Sequence, residues 1–131
     1  MPSHTKGSIV FLEKQRGWLF TGDIMLTWEV WGQLSDGDFA PSASLSVYYE
    51  SLMELQKRKS EISCIFPAHG KKEGNPEGCT EYTLPPSVID IYCKNIARIL
   101  KGEVEGELYV HPTRGGKLVR FEIGGIVYNV K

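Results

Sequence analysis

Three side chains carry the chemistry of this sequence: His4, Asp23 and His69. Imidazole nitrogens and carboxylate oxygens are the usual ligands of zinc and similar metals, at roughly 2.0–2.2 Å. Each of the three stands at the edge of a short apolar element. Asp23 follows Trp18-Leu19-Phe20-Thr21-Gly22, an apolar run that ends in a small residue and a glycine. A buried strand there would carry the carboxylate to the mouth of a sheet. His4 lies in Pro2-Ser3-His4-Thr5-Lys6-Gly7-Ser8, just before the preceding strand, and His69 lies in Phe66-Pro67-Ala68-His69-Gly70, just after a later one. Gly7, Gly22 and Gly70 let the backbone turn tightly beside them. Each also has a plainer use: a frayed terminal residue for His4, a turn cap for Asp23, a satisfied loop histidine for His69.

The elements that must position these groups follow from local pattern. Ser8–Leu12 and Trp18–Thr21 read as strands, rich in β-branched and aromatic residues, joined by the polar turn Glu13–Gly17 into a hairpin. Both are apolar on both faces, which predicts a covered sheet. Ile24–Trp31 is apolar without a clear period. Gln33 to Pro41 is polar and rich in Gly and Asp and reads as a loop, with Trp28, Trp31 and Phe39 as candidate walls of a substrate pocket, or equally as core or interface residues. Ser42 or Ser44 caps a helix running to about Lys59, with Leu45, Tyr48, Tyr49, Leu52 and Leu55 on one face. Ile62–Phe66 is a short strand ended by Pro67, and Lys71 to Thr83 a charged loop. Pro85-Pro86 opens a second helix, its stripe Ile89, Tyr92, Cys93, Ile96 and Leu100, and Gly102 stops it. A second hairpin follows around Gly115-Gly116, then a last strand, Ile126–Tyr128. His111 falls on that hairpin. The expected architecture is α/β in layers, a mixed sheet with helices on one face, and nothing in the sequence covers the other face.

Composition bounds the possibilities. The 131 residues predict a single domain, and 41% hydrophobic with 24% charged residues is ordinary globular usage. A net charge of -1 argues against a nucleic-acid partner. No apolar run approaches the roughly 20 residues that span a bilayer, so no membrane partner is expected, and the N-terminus lacks a signal-peptide pattern. Three cysteines, an odd count without a paired motif, predict reduced thiols and a cytoplasmic protein. Cys64 and Cys93 read as small core hydrophobes.

The order and wording of the three segments, S-H-T-K-G-S-I-V, L-F-T-G-D and I-F-P-A-H-G, resemble the second half of the metallo-β-lactamase-like hydrolases. The Asp36-to-Leu55 stretch and the terminal helix P-P-S-V-I-D…I-L-K-G are similar to single-domain members, so the resemblance spans nearly the whole chain. It implies an αβ/βα sandwich of two similar halves, of which residues 1–131 supply the C-terminal one. It further implies His4 as a ligand of one metal, His69 of the other, and Asp23 as the bridge between them. Zinc is the expected ion of that two-metal site, with iron or manganese as options. In the intact family such ions lower the pKa of a bound water toward 7, and the hydroxide attacks a carbonyl or phosphoryl group of a small-molecule substrate. The family's H-x-H-x-D-H motif occurs nowhere in these residues. The expectation is therefore a truncated domain with half of its metal site, inactive alone, that self-associates or pairs with a complementary N-terminal half. The alternative is a non-catalytic binding or scaffold module that retains half of the fold. A flavin- or nucleotide-binding protein is disfavoured, because no glycine-rich loop follows a strand and opens a helix.

Overall fold

The computed structural model describes residues 1–33, 43–71, 74–110 and 115–129. Phe39, His111 and most of the Gln33-to-Pro41 loop lie outside the described residues. Along the chain run β1 (Phe11–Glu13), β2 (Trp18–Gly22), β3 (Glu29–Trp31), α1 (Leu45–Gln56), a 3-10 turn (Lys59–Glu61), β4 (Cys64–Pro67), α2 (Val88–Leu100), β5 (Glu107–Val110), β6 (Gly115–Arg120) and β7 (Gly125–Tyr128). The α/β layered class holds, with one difference: the strands form two mixed sheets rather than one. The first has the order β1-β2-β4, the second β3-β7-β6-β5.

The helices form where local signals place them. Ser44 caps α1, its hydroxyl accepting from the Val47 N–H. Leu45, Tyr48, Leu52 and Leu55 are buried along one face, while Tyr49 is half-buried. The helix ends three residues early of the expected Lys59, where the chain tightens into the 3-10 turn. α2 starts just after Pro85-Pro86 and stops before Gly102, which takes the left-handed φ of 72° that glycine tolerates. One core unites both helices with the inner faces of both sheets: Leu19 and Ile65 from the first, Val30, Val119 and Ile126 from the second.

Two buried tyrosines tie the helices to the irregular chain between β2 and β3. Tyr48 of α1 donates its hydroxyl to the Ile24 carbonyl. Tyr92 of α2 donates to the Leu26 carbonyl and accepts the Leu26 N–H, both at 3.2 Å. Residues 24–26 are fully or almost fully buried, which is why their apolar run shows neither helical nor strand period: the segment is packed from several sides while the tyrosines satisfy its backbone. Burial pushes the hydroxyl pKa of both tyrosines up.

Within the first sheet β1 and β2 are antiparallel, Phe11 opposite Phe20 and Glu13 opposite Trp18, and β2 and β4 are parallel, Trp18 opposite Cys64 and Phe20 opposite Phe66. Alternation sends Leu19, Thr21 and Ile65 into the core. It sends Phe11, Trp18 and Phe20 outward, where they are 64%, 37% and 41% exposed. A sheet fully covered on both faces is thus not found: these three aromatics keep a third or more of their surface open among the described residues. Cys64 shares that outer face and is half-buried, whereas Cys93 is buried and its thiol is pushed up to about 11 by desolvation.

The second hairpin also differs in detail. Val110 stands opposite Gly115 and Tyr109 opposite Gly116, so the two glycines lie in strand β6. A Cβ on Gly116 would come 2.9 Å from the Tyr128 carbonyl oxygen, so this glycine permits close strand approach.

Candidate functional site

β2 and β4 are parallel neighbours, so their C-terminal ends reach the same rim of the sheet. Ligand sites in parallel α/β sheets gather at such rims. The register shifts between Phe20 and Gly22, and Gly22 turns the chain out of β2 with φ 57°. The Ala68 N–H then bonds the Gly22 carbonyl at 2.8 Å, locking the two strand exits together. Asp23 leaves one exit and His69 the other, and they meet: His69 Nε2 stands 3.0 Å from Asp23 Oδ1, with both side chains substantially exposed. A carboxylate accepts, so the His69 ring N–H is the donor in this contact.

The pair lies beside an open groove of about 670 Å3 lined by Phe20, Trp28, Phe66, Pro67, His69 and Tyr82, with Gly22, Ala68, Gly70 and Glu81 completing it. Trp28 lies nearly parallel to the His69 ring, centroids 6.4 Å apart, and Lys71 Nζ sits 5.3 Å from the Trp28 ring centre. On the far side, Thr80 Oγ1 accepts the N–H groups of Tyr82 and Thr83, closing a turn that holds Glu81 against Gly70. Trp28 lines the groove and also packs against the core.

Trp31 does not line this groove. It ends β3 in the other sheet, edge-on to Tyr109 with centroids 6.2 Å apart. The physical reason is pairing: β3 hydrogen-bonds to β7, so Trp31 travels with the second sheet. Phe39 lies outside the described residues.

His4 is held elsewhere. Its Nδ1 is 2.7 Å from the Trp31 carbonyl oxygen. A carbonyl only accepts, so the Nδ1–H of His4 is the donor in this contact. The segment is not frayed. Ser8 Oγ takes the Thr5 N–H at 3.1 Å and contacts Thr5 Oγ1 at 3.0 Å, folding the S-H-T-K-G-S stretch into a closed turn. The Ser3 carbonyl accepts the Ala43 N–H and Ser51 Oγ donates to the Pro2 carbonyl, docking the segment beside α1. Ser3 is fully buried.

The structure thus brings Asp23 and His69 together and leaves His4 in its own turn. Among the described residues no three His, Cys, Asp or Glu side chains gather into a group able to hold a metal ion. Catalytic zinc takes three protein ligands and a water. The two donors at the groove have suitable chemistry but do not make a complete centre, so no hydrolytic step is assigned to them. Glu81, Tyr82 and Phe66 are groove residues that local sequence reading missed. Glu81 and Tyr82 are placed by the Thr80–Thr83 turn and by the backbone bridge between Leu84 and Ile65, contacts no local pattern announces.

Among the described residues no helix is long and apolar enough to cross a membrane. Compared with protein-family models and with curated proteins, the chain matches none.

Proposed function

We propose that this chain is the C-terminal half of a metallo-β-lactamase-like, metal-dependent hydrolase, a cytoplasmic partial domain that is inactive alone. The observation that carries this reading is the meeting of Asp23 and His69 at 3.0 Å on the exits of two parallel strands. Both were singled out as ligands by their sequence context, and both arrive at one groove. In this reading they are the chain's contribution to a centre for zinc, iron or manganese. In the same reading His4, held on the Trp31 carbonyl, is the chain's third ligand. The substrate is a small molecule seated in the aromatic groove, with no role for nucleic acid or membrane. Three free cysteines support a reducing compartment.

A second reading has its own observation. The His69 ring points its N–H at Asp23 and His4 is turned onto Trp31, which suits a binding or scaffold module that keeps the fold half without the chemistry. Metal content per chain, measured by elemental analysis on gel-filtered protein expressed with zinc, separates the two. Near-stoichiometric zinc, lost on Asp23→Ala and on His69→Ala, supports the metal centre. A folded, metal-free protein whose zinc content stays at background after mixing with an N-terminal half bearing the H-x-H-x-D-H motif overturns it in favour of the scaffold.

A further inference from the structure

Among the described residues Gln33 is the only non-glycine residue with a left-handed backbone, φ 51°. That conformation strains a residue carrying a Cβ, and glycine would take it freely. Strain persists only where the surroundings over-determine it, and it gathers where a function needs it. At Gln33 the surroundings are two hydrogen bonds that glycine could not make. The carboxamide Oε1 accepts the Leu45 N–H at 2.9 Å, and Nε2 donates to the Asn129 carbonyl at 2.7 Å. A carboxamide accepts at one atom and donates at the other, which neither a carboxylate nor an ammonium can do. One side chain thereby ties the exit of β3 to the first residue of α1 and to the residue after β7.

The same residue closes a circuit around His4. The Gln33 N–H donates to the Ala43 carbonyl at 3.1 Å, and the Ala43 N–H donates to the Ser3 carbonyl at 3.1 Å. Two residues before Gln33, the Trp31 carbonyl accepts the His4 Nδ1–H at 2.7 Å. The backbone beside His4 and the ring of His4 therefore hang on the two ends of one short stretch, Trp31–Gln33. Gly32 in the middle is fixed in turn, its N–H bonded to the Val127 carbonyl at 2.9 Å. Residues 1–8 form no helix or strand, so contacts of this kind are what hold the segment.

A metal-binding histidine is commonly oriented by a hydrogen bond from its other ring nitrogen to a carbonyl, and the groups behind that carbonyl govern how firmly the ring is held. We infer that Gln33 is the positioning residue of His4: by clamping the β3 exit to α1 and to Asn129, it keeps the Trp31 carbonyl where it fixes the imidazole in one orientation. The use of that orientation for a metal rests on the hydrolase reading; the clamp itself does not.

The test reads the His4 ring in the metal-free, full-length chain. Long-range proton–nitrogen spectra of the three histidines are recorded in mildly alkaline solution, the His4 signals being assigned by their loss in His4→Gln. The wild type is expected to show the pattern of a ring protonated at Nδ1, distinct from the Nε2–H pattern that dominates in a mobile imidazole. Gln33→Gly suits the backbone and removes only the carboxamide. It is expected to lose the Nδ1–H pattern with an unchanged circular dichroism spectrum. Should it fail to fold, Gln33→Asn is the second probe: asparagine tolerates the left-handed backbone but is one methylene too short to span both partners, and the same loss is expected. Tyr92→Phe removes a buried hydrogen bond on another segment and is expected to keep the pattern, as the control for general destabilisation.

A wild-type His4 ring with the mobile pattern overturns the inference. So does a retained Nδ1–H pattern in folded Gln33→Gly, or in Gln33→Asn where that probe is used, and so does an equal loss in Tyr92→Phe. Failure of both Gln33 variants to fold would make the residue a strut of the fold rather than a positioning residue, and also overturns it. Zinc content is not read here, so failure leaves the metal-centre reading to its own test, and a metal-free chain in that test leaves the clamp on His4 standing.

Discussion

Gly70 has no room for a side chain: a Cβ placed there would stand 1.5 Å from the carbonyl oxygen of Glu81. Gly70 follows His69 directly, so the glycine of the P-A-H-G segment serves the site by letting two loops touch. Alanine at this position must push the Glu81 backbone away and with it the groove wall. Gly70→Ala is expected to cost about 1–3 kcal/mol, as overpacking does, read from urea unfolding at constant m. Gly7→Ala is the control, since a Cβ there meets nothing within 4 Å, and it is expected to stay within about 0.5 kcal/mol of wild type. Equal effects at the two positions would contradict the assignment.

Thr21, in the segment leading to Asp23, is fully buried, and its hydroxyl has no hydrogen-bond partner among the described residues. A buried unpaired hydroxyl is costly, and valine has nearly the same shape. Thr21→Val is therefore expected to be neutral or stabilising by up to about 1 kcal/mol in the same unfolding assay. A loss of stability would show that the hydroxyl has a partner in solution.

Tyr92→Phe removes the hydroxyl that bonds both the N–H and the carbonyl of Leu26. Both backbone groups then remain buried without a partner. The expected cost is about 1–3 kcal/mol, accompanied by faster amide exchange at Leu26. Unchanged exchange at that amide would show that another group protects it.

Glu122 sits in the turn between β6 and β7, where Lys94 of α2 donates to its Oε1 at 2.7 Å and Asn95 to its Oε2 at 2.9 Å. The Lys94 hydrogen bond above all holds its carboxyl pKa down at about 2, against an ordinary 4.5. A carboxylate with a depressed folded pKa stabilises the fold above its unfolded pKa. That contribution is lost as the pH falls from about 4.5 toward 2. The pair is half exposed, so the effect is modest and screened by salt. Glu122→Gln is expected to flatten the acid limb of stability against pH while leaving neutral-pH stability within about 1 kcal/mol of wild type. An acid limb unaltered by the substitution would assign it to other carboxylates.

The sequence by itself determined the helices and the strand exits. Ser44, Pro85-Pro86 and Gly102 act within a turn of where they stand, and the apolar stripes of α1 and α2 depend only on helical spacing, except that Leu100 at the end of α2 is 43% exposed instead of joining its stripe. The strand-ending positions of Asp23 and His69 were legible for the same reason: a short apolar run, then a turn residue. For the first sheet the sequence carried two opposed signals, apolar residues on both faces and no element to cover the second, and among the described residues its outer aromatics are exposed.

Tertiary structure alone decided the rest, because strand pairing and loop contact join residues distant in sequence. β3 is three residues long, and its partner β7 lies near the other end of the chain, so no local period announces it or the second sheet. That pairing carried Trp31 away from the groove and gave His4 a carbonyl to bind. Gly115 and Gly116 looked like a turn, but Gly116 sits in a strand because its neighbour's backbone comes too close for a Cβ. Glu81 and Tyr82 entered the groove through a turn closed by Thr80 and a bridge to Ile65. Residue types and their order picked out Asp23 and His69, which the fold brings into contact. Which side chains share its groove was settled by backbone hydrogen bonds between segments that meet only when the chain is folded.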